Sequence, residues 1–285
     1  MQREKKINPR ISVICPVLNV EKYIEETIQA VLSQSYKNWE LLIMDGVSSD
    51  KTLEIVDGYS KLYPNIRVYS SPDDCMWHAF DEGLLFARGE FVCFLGGQDG
   101  YLDKDWFLKA MSVFDENHDV SLAWGLCQGK DDAGNFLGTN ESYTNFIEKR
   151  GLLGIFKIFF GKFVKLIVDF MSGDLSRKKI ILQKIFSKTA PLRISSFTQS
   201  GFNQNNFPQK EQWFLYWLKT GLCFPDQAMI VSKDVFLACT NRYATHKNQD
   251  ELNNFFFNFN SGAYLAFYIP TYATFGRIHA GGGSA

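Results

Sequence analysis

Long apolar runs are missing from this 285-residue chain. No stretch approaches the roughly 18 consecutive apolar residues that a bilayer-spanning helix needs. The first ten residues are charged and carry no apolar segment, so they do not read as a secretory leader. Neither sign of charge dominates: the formal net charge is -1, which gives no electrostatic reason to expect nucleic acid as a partner. Histidine is scarce, with four residues, and none of the six cysteines forms a CxxC pair, so a zinc site is not expected. Cys15 and Cys93 lie inside apolar runs, and all six cysteines are expected to be thiols buried in a reducing compartment. A chain of this size buries enough apolar surface to fold without disulfides. The cytoplasm is the expected location.

An alternation of short apolar runs and helical patterns is what the chain does have. Residues 11–15, 40–44, 66–69 and 90–95 are strand-like. Between them, Ile24, Ile28 and Val31, then Leu53, Val56 and Tyr59, then Met76, Ala79, Phe80, Gly83 and Leu84 recur at helical spacing. Asp50 stands where it could cap the second helix. The order β-α-β-α-β-α-β predicts a parallel sheet with helical crossovers. Ligands bind such sheets beyond the carboxyl ends of the strands. Those ends carry Asn19, then Asp45 and Asp50, then Asp73, then Asp99, so acids are expected to converge on one rim.

Further along, a helix is expected over 106–114 and a strand over 120–124, followed by a Gly/Asp turn over 129–134. Residues 145–193 change character, with eleven Lys/Arg against three Asp/Glu among many Phe, Ile and Leu. Two readings of this segment stand side by side. It is either an interfacial helix on an anionic membrane surface or a pair of helices packed on the core with solvated lysines. The chain thus divides into an α/β half over 1–140, a helical, basic and aromatic insert over 141–222, and a strand–helix–strand completion over 223–285.

Several linked segments resemble the family 2 glycosyltransferases. They are Ser12-Val13-Ile14-Cys15-Pro16-Val17-Leu18-Asn19, the stretch from Leu32 to Glu40, Asp45-Gly46-Val47-Ser48-Ser49-Asp50, Ser71-Pro72-Asp73, and Ala87-Arg88-Gly89-Glu90. The resemblance is close over residues 10–125 and looser over 223–284. It implies a GT-A-type α/β fold: a mostly parallel, Rossmann-like sheet flanked by helices, here with a basic helical insert in the second half. It also implies a nucleotide-diphosphate-sugar donor, a saccharide or lipid-linked acceptor, and inversion at the anomeric carbon. Asp45 then contacts the nucleoside, and Pro16 and Asn19 shape the first loop around it. Asp73 is a donor-cleft acid, a helix N-cap, or both. His78 either touches the sugar or faces solvent. Asp250, within Asn248-Gln249-Asp250-Glu251, matches the acceptor base; the plainer reading is a helix-start acid.

One segment departs from the pattern. Where the family places paired acids for a divalent metal, this chain reads Gly96-Gly97-Gln98-Asp99. An amide is a poor ligand for Mg2+ or Mn2+ beside a carboxylate. Three outcomes stay open: Asp99 holds the metal directly or through water, the enzyme works without metal, or the chain is a catalytically impaired nucleotide-sugar-binding module. Arg277 and His279, just before the closing Gly281-Gly282-Gly283-Ser284, either bind the diphosphate and partly replace a weakened metal site or are exposed tail residues. Assembly of a cell-surface or extracellular polysaccharide at the inner membrane face is the expected setting.

Overall fold

The computed structural model of the chain describes residues 8–73, 75–136, 226–239 and 264–277. The basic segment 145–193, Asp250 and His279 lie outside them. The first hundred residues fold as β1 (Ile11–Val17), α1 (Ile24–Leu32), β2 (Trp39–Asp45), α2 (Thr52–Leu62), β3 (Ile66–Ser70), α3 (Met76–Phe86) and β4 (Phe91–Phe94). There follow β5 (Gly100–Tyr101), α4 (Trp106–Glu116), β6 (Val120–Lys130), β7 (Met229–Ser232), α5 (Lys233–Cys239) and β8 (Leu265–Arg277). All eight strands lie in one sheet, ordered β3-β2-β1-β4-β7-β6-β8-β5.

β1, β2, β3 and β4 pair in parallel, as the alternation predicts. β1 and β2 are buried along their whole length because helices cover both faces of the sheet, which is why they read as unbroken apolar runs. Alternate residues feed two layers. Ile11, Val13, Cys15, Leu41 and Ile43 pack with Ile24, Ile28 and Val31 of α1, Val56 of α2 and Trp106, Phe107 and Met111 of α4. Ile14, Leu42 and Met44 pack on the other face with Ala79, Phe80 and Leu84 of α3 and Phe236 of α5. Each large aliphatic side chain so buried contributes about 1.5–3 kcal/mol relative to exposure.

The sheet is mostly parallel, as expected: β1–β4, β6 and β8 share one direction, and β7 and β5 are reversed. β7 runs antiparallel to both β4 and β6, and β5 runs antiparallel to β8. β8 is parallel to β6. Two reversals cancel, so β6 and β8 point the same way as β1–β4, and their carboxyl ends join the same rim. β6 is longer than the expected 120–124, and its pairing with β8 shifts register between Trp124 and Leu126. Pro270, which has no N–H to give a ladder, falls within that irregular stretch of β8.

Other expectations shift slightly. Met76 opens α3 but is 47 % exposed, so it does not belong to the buried face. The Asp50 carboxylate accepts the Thr52 N–H at 2.9 Å and the Glu21 N–H at 3.0 Å, joining the start of α2 to the β1–α1 loop. Among the cysteines, Cys15 and Cys93 are buried, whereas Cys75 and Cys127 are only half-buried. Burial pushes the Cys93 thiol up to about 12 against the easing effect of its Tyr101 hydrogen bond, and it raises Cys15 as well. Both are neutral at physiological pH. Among the described residues, no helix is long and apolar enough to cross a membrane.

Candidate active site

The carboxyl ends of β1, β2, β3 and β4 bring Asn19, Asp45, Asp73 and Asp99 to one rim, as the strand order requires. Asp45 ends β2 and is 2 % exposed. Its carboxylate accepts the Ser48 N–H at 3.2 and 3.3 Å and the Ser70 hydroxyl at 2.7 Å. Ser48 Oγ accepts the Asn19 N–H at 2.9 Å, and Asn19 Oδ1 accepts the Ser49 N–H at 2.8 Å. The first and second loops are therefore braced against each other through Asn19 and Asp45. Each carboxylate oxygen can accept more than one hydrogen bond, so these intramolecular bonds are compatible with accepting N–H groups from a ligand.

That bracing bends the backbone. Asn19 has φ 52° and Val47 has φ 65°. Asn tolerates the left-handed region; a β-branched Val there is strained. Val47 is also 54 % exposed, so no core packing explains it, and such strain concentrates at ligand-binding loops.

Asp73 lies against the second loop: a Cβ built on Gly46 would come within 2.9 Å of Asp73 Oδ2. Glycine at 46 thus permits the acid from β3 to close on the turn that carries Asp45. The residue at the cap of α3 is Cys75, so the helix-cap reading of Asp73 is not the geometry found. His78, in the first turn of α3, is half-buried, with Nε2 3.9 Å from Glu82 Oε1 on its own helix. Glu82 in turn accepts the Ser71 hydroxyl at 2.8 Å. Pro16 is buried within β1 and acts through its backbone: its carbonyl accepts the Gly97 N–H at 3.2 Å, linking β1 to the β4–β5 loop.

Asp99 closes that loop and is 6 % exposed. Its Oδ1 accepts the Arg277 backbone N–H at 2.9 Å, and its Oδ2 accepts Gln227 Nε2–H at 3.4 Å. Its carbonyl accepts the Thr27 hydroxyl at 2.7 Å. The carboxylate folds back over Gly96, where a Cβ would stand 2.6 Å from Oδ2. A single carboxylate at the rim, oriented by neutral N–H donors, is the kind of oxygen ligand that Mg2+ takes when it keeps waters and substrate phosphates as its other ligands. Among the described residues, no group of three or more His, Cys, Asp and Glu converges to hold a metal by protein ligands alone.

Arg277 does not present its guanidinium to the rim. Its side chain is 4 % exposed, with Nη2–H on Glu26, Nη1–H on the Asp131 carbonyl at 3.0 Å and Nε–H on the Gln98 carbonyl at 3.3 Å. It reaches Asp99 by its backbone instead. Nothing in the sequence assigned a role to Gln227, Glu26, Lys130 or Tyr23. No local signal marks them, because these residues meet only when β6 and β8 join the rim.

Comparison with known proteins bears on the family and the fold. Residues 12–170 match the family described as glycosyl transferase family 2. A dolichyl N-acetyl-alpha-D-glucosaminyl phosphate 3-beta-D-2,3-diacetamido-2,3-dideoxy-beta-D-glucuronosyltransferase of Methanococcus voltae is 38% identical over 103 residues, 35% of this chain and 32% of that protein. The putative teichuronic acid biosynthesis glycosyltransferase TuaG of Bacillus subtilis is 38% identical over 92 residues, 32% of this chain and 36% of that protein. The chain thus spans about a third of the length of these relatives. The crystal structure of S. aureus TarS 1-349 in complex with UDP-GlcNAc superposes with a TM-score of 0.55 at 18% identity, covering 96% of this chain and 60% of that one. That likeness shows the fold, which is of the GT-A type.

Proposed function

The chain belongs to glycosyl transferase family 2, and from that premise we propose that it transfers a sugar, with inversion, from a nucleotide-diphosphate donor to an acceptor hydroxyl. The observation that carries this reading is the convergence of Asn19, Asp45, Asp73 and Asp99 from four strand ends onto one rim, with the first three braced around a strained loop. Asp45 accepts N–H groups of the nucleoside. Asn19, with Pro16 behind it, holds the first loop against the second, and Asp73 and His78 line the donor side. Asp99 is the residue that would hold a Mg2+ or Mn2+ ion, and such an ion would supply positive charge against the departing diphosphate. The acceptor oxygen attacks the anomeric carbon from the face opposite the leaving group. Its proton passes to the Asp250 carboxylate, and the bond from carbon to diphosphate oxygen breaks.

The setting proposed is assembly of a cell-surface or extracellular polysaccharide at the cytoplasmic membrane face, on a saccharide or lipid-linked acceptor. The relative named for teichuronic acid biosynthesis supports it, as does the interleaving of cationic and apolar residues over 145–193. His279 is assigned to the diphosphate side.

Calorimetric titration with UDP, GDP and their sugars, with and without Mn2+, tests the donor site. No nucleotide binding under either condition would sink the transferase reading. Asp250→Asn is expected to abolish transfer and spare donor binding; retained turnover removes Asp250 from the role. A second reading, a nucleotide-sugar-binding module without catalysis, is favoured by Gln98 standing where the family has a metal-binding acid. It predicts nucleotide binding in the wild-type protein with neither transfer nor donor hydrolysis.

A further inference from the structure

We infer that Arg277 is a positioning residue that sets the Asp99 carboxylate, acting from β8 on the β4–β5 loop; the inference rests on the rim being the donor site.

Gly96-Gly97-Gln98-Asp99 has two adjacent glycines and no partner strand; its internal bond, the Asp99 N–H on the Gly96 carbonyl at 3.0 Å, is supplemented by restraints from outside. Arg277 supplies two of the restraints. Its N–H donates to Asp99 Oδ1 at 2.9 Å, and its Nε–H donates to the Gln98 carbonyl at 3.3 Å. One residue thus grips the loop backbone and the end of the carboxylate together.

Arg277 is in turn locked by groups from two other segments. Nη1–H donates to the Asp131 carbonyl, just past β6, at 3.0 Å. Nη2–H meets Glu26 of α1, and the guanidinium lies 4.6 Å from the centre of the Tyr23 ring. Lys130 pairs with the same Glu26 carboxylate. A planar fork that satisfies three acceptors in different directions is specific to arginine; a lysine ammonium on a flexible stem cannot reproduce it. Removing the fork leaves Glu26 paired with Lys130, so loss of the side chain need not strand a buried charge. What it releases is the Gln98 carbonyl and, with it, the orientation of the neighbouring acid.

Residues that orient a metal-binding carboxylate typically change metal affinity about 10–100-fold when replaced. The test uses the whole chain as wild type, Arg277→Gln, Arg277→Lys and Glu26→Gln. Arg10→Gln serves as a remote control, because it removes an ion pair to Asp115 far from the rim. Four readouts are compared: thermal midpoint, nucleotide binding without metal, Mn2+ half-saturation by electron paramagnetic resonance with nucleotide present, and donor hydrolysis split into kcat and KM.

For Arg277→Gln, Mn2+ half-saturation is expected to rise about 10-fold or more and kcat to fall in step. Donor KM and metal-free nucleotide binding should stay within about threefold of wild type, since those contacts are elsewhere on the rim. Arg277→Lys should recover part of the loss. Glu26→Gln should change Mn2+ half-saturation by less than about threefold, because the Nε–H and Nη1–H bonds survive it. Wild-type Mn2+ half-saturation in Arg277→Gln would overturn the inference. So would a Glu26→Gln effect equal to that of Arg277→Gln, which is what a purely structural ion pair predicts. If Arg277→Gln does not fold, the same contrast is read between Arg277→Lys and Glu26→Gln, and equality again overturns it. Failure of the wild-type protein to bind nucleotide takes down the donor-site reading and this inference together; unchanged variants of a nucleotide-binding wild type take down this inference alone.

Discussion

The two sides of the sheet are built differently. On one side, β3, β2, β1 and β4 follow each other in parallel through short helical crossovers, and every acid at their ends arrives by local chain geometry. On the other side, β7, β6, β8 and β5 are joined across long sequence separations with mixed directions. The first side supplies the groups that would meet a nucleotide. The second supplies Gln227 and Arg277, which hold the one acid of the β4–β5 loop in place, and Lys130, which pairs with Glu26 beside them. Binding groups and the groups that aim them thus come from different kinds of structure, and they should fail differently.

The sharpest way to break that comparison is to remove one acid from each role. Asp99→Asn is expected to lower kcat by about 10²–10³-fold with little change in metal-free nucleotide binding. Asp45→Asn should instead weaken nucleotide binding about 30-fold, the loss of a charged acceptor worth about 2 kcal/mol. Steady-state kinetics and calorimetry on the pair separate the two. If both variants lose binding and neither loses only turnover, the division of labour is wrong.

A smaller effect tests the parallel side as a packed scaffold. A Cβ on Gly83 would stand 2.3 Å from Ile14 Cγ2, inside the layer between α3 and β1. Gly83→Ala is expected to cost about 1–3 kcal/mol by overpacking, read as a lowered urea midpoint.

Acid stability probes the bracing between the first two loops. Partial burial works against the charge of Asp50, but hydrogen bonds from Thr52 and from the Glu21 N–H outweigh it and hold the carboxyl below the ordinary range. A depressed folded-state value means that the stabilisation is fully present above the unfolded value, about 3.9. It is lost as pH falls from there through the folded value. Urea midpoints between about pH 6 and 3 should therefore drop more steeply for wild type than for Asp50→Asn. Parallel curves would show that the loop brace does not depend on the charge.

The smallest expected change is a gain. Val47→Asn relieves a β-branched residue at φ 65° and should raise stability by about 1 kcal/mol. Because that loop lies on the rim proposed to bind the donor, a matching loss of nucleotide affinity would show that the strain serves binding.

Much of the parallel side was legible in the sequence. Strands at 11–15, 40–44, 66–69 and 90–95, and helical faces through Ile24, Val56 and Phe80, match the observed elements within a few residues. Asp45 and Asp73 could be placed on one rim because parallel strand order alone brings their strand ends together. The signal was weaker where several roles suit one residue. Asp73 read equally as a cap, and only the Cys75 cap and the contact with Gly46 separate the roles. Arg277 read as a tail cation facing the diphosphate, whereas its side chain turns inward onto Glu26 and two carbonyls.

By itself the sequence determined the alternation, the parallel core, the rim of acids at the strand ends and the family. These follow from periodicities and motifs that span a few turns of chain, so each is written locally. Only the tertiary structure decided that β7 reverses direction, that β6 and β8 thereby return their ends to the same rim, and that Asp99 is fixed by Arg277 and Gln227. Hydrogen bonds between residues more than a hundred positions apart have no local pattern. They exist because close packing brings their donors and acceptors within about 3 Å of each other.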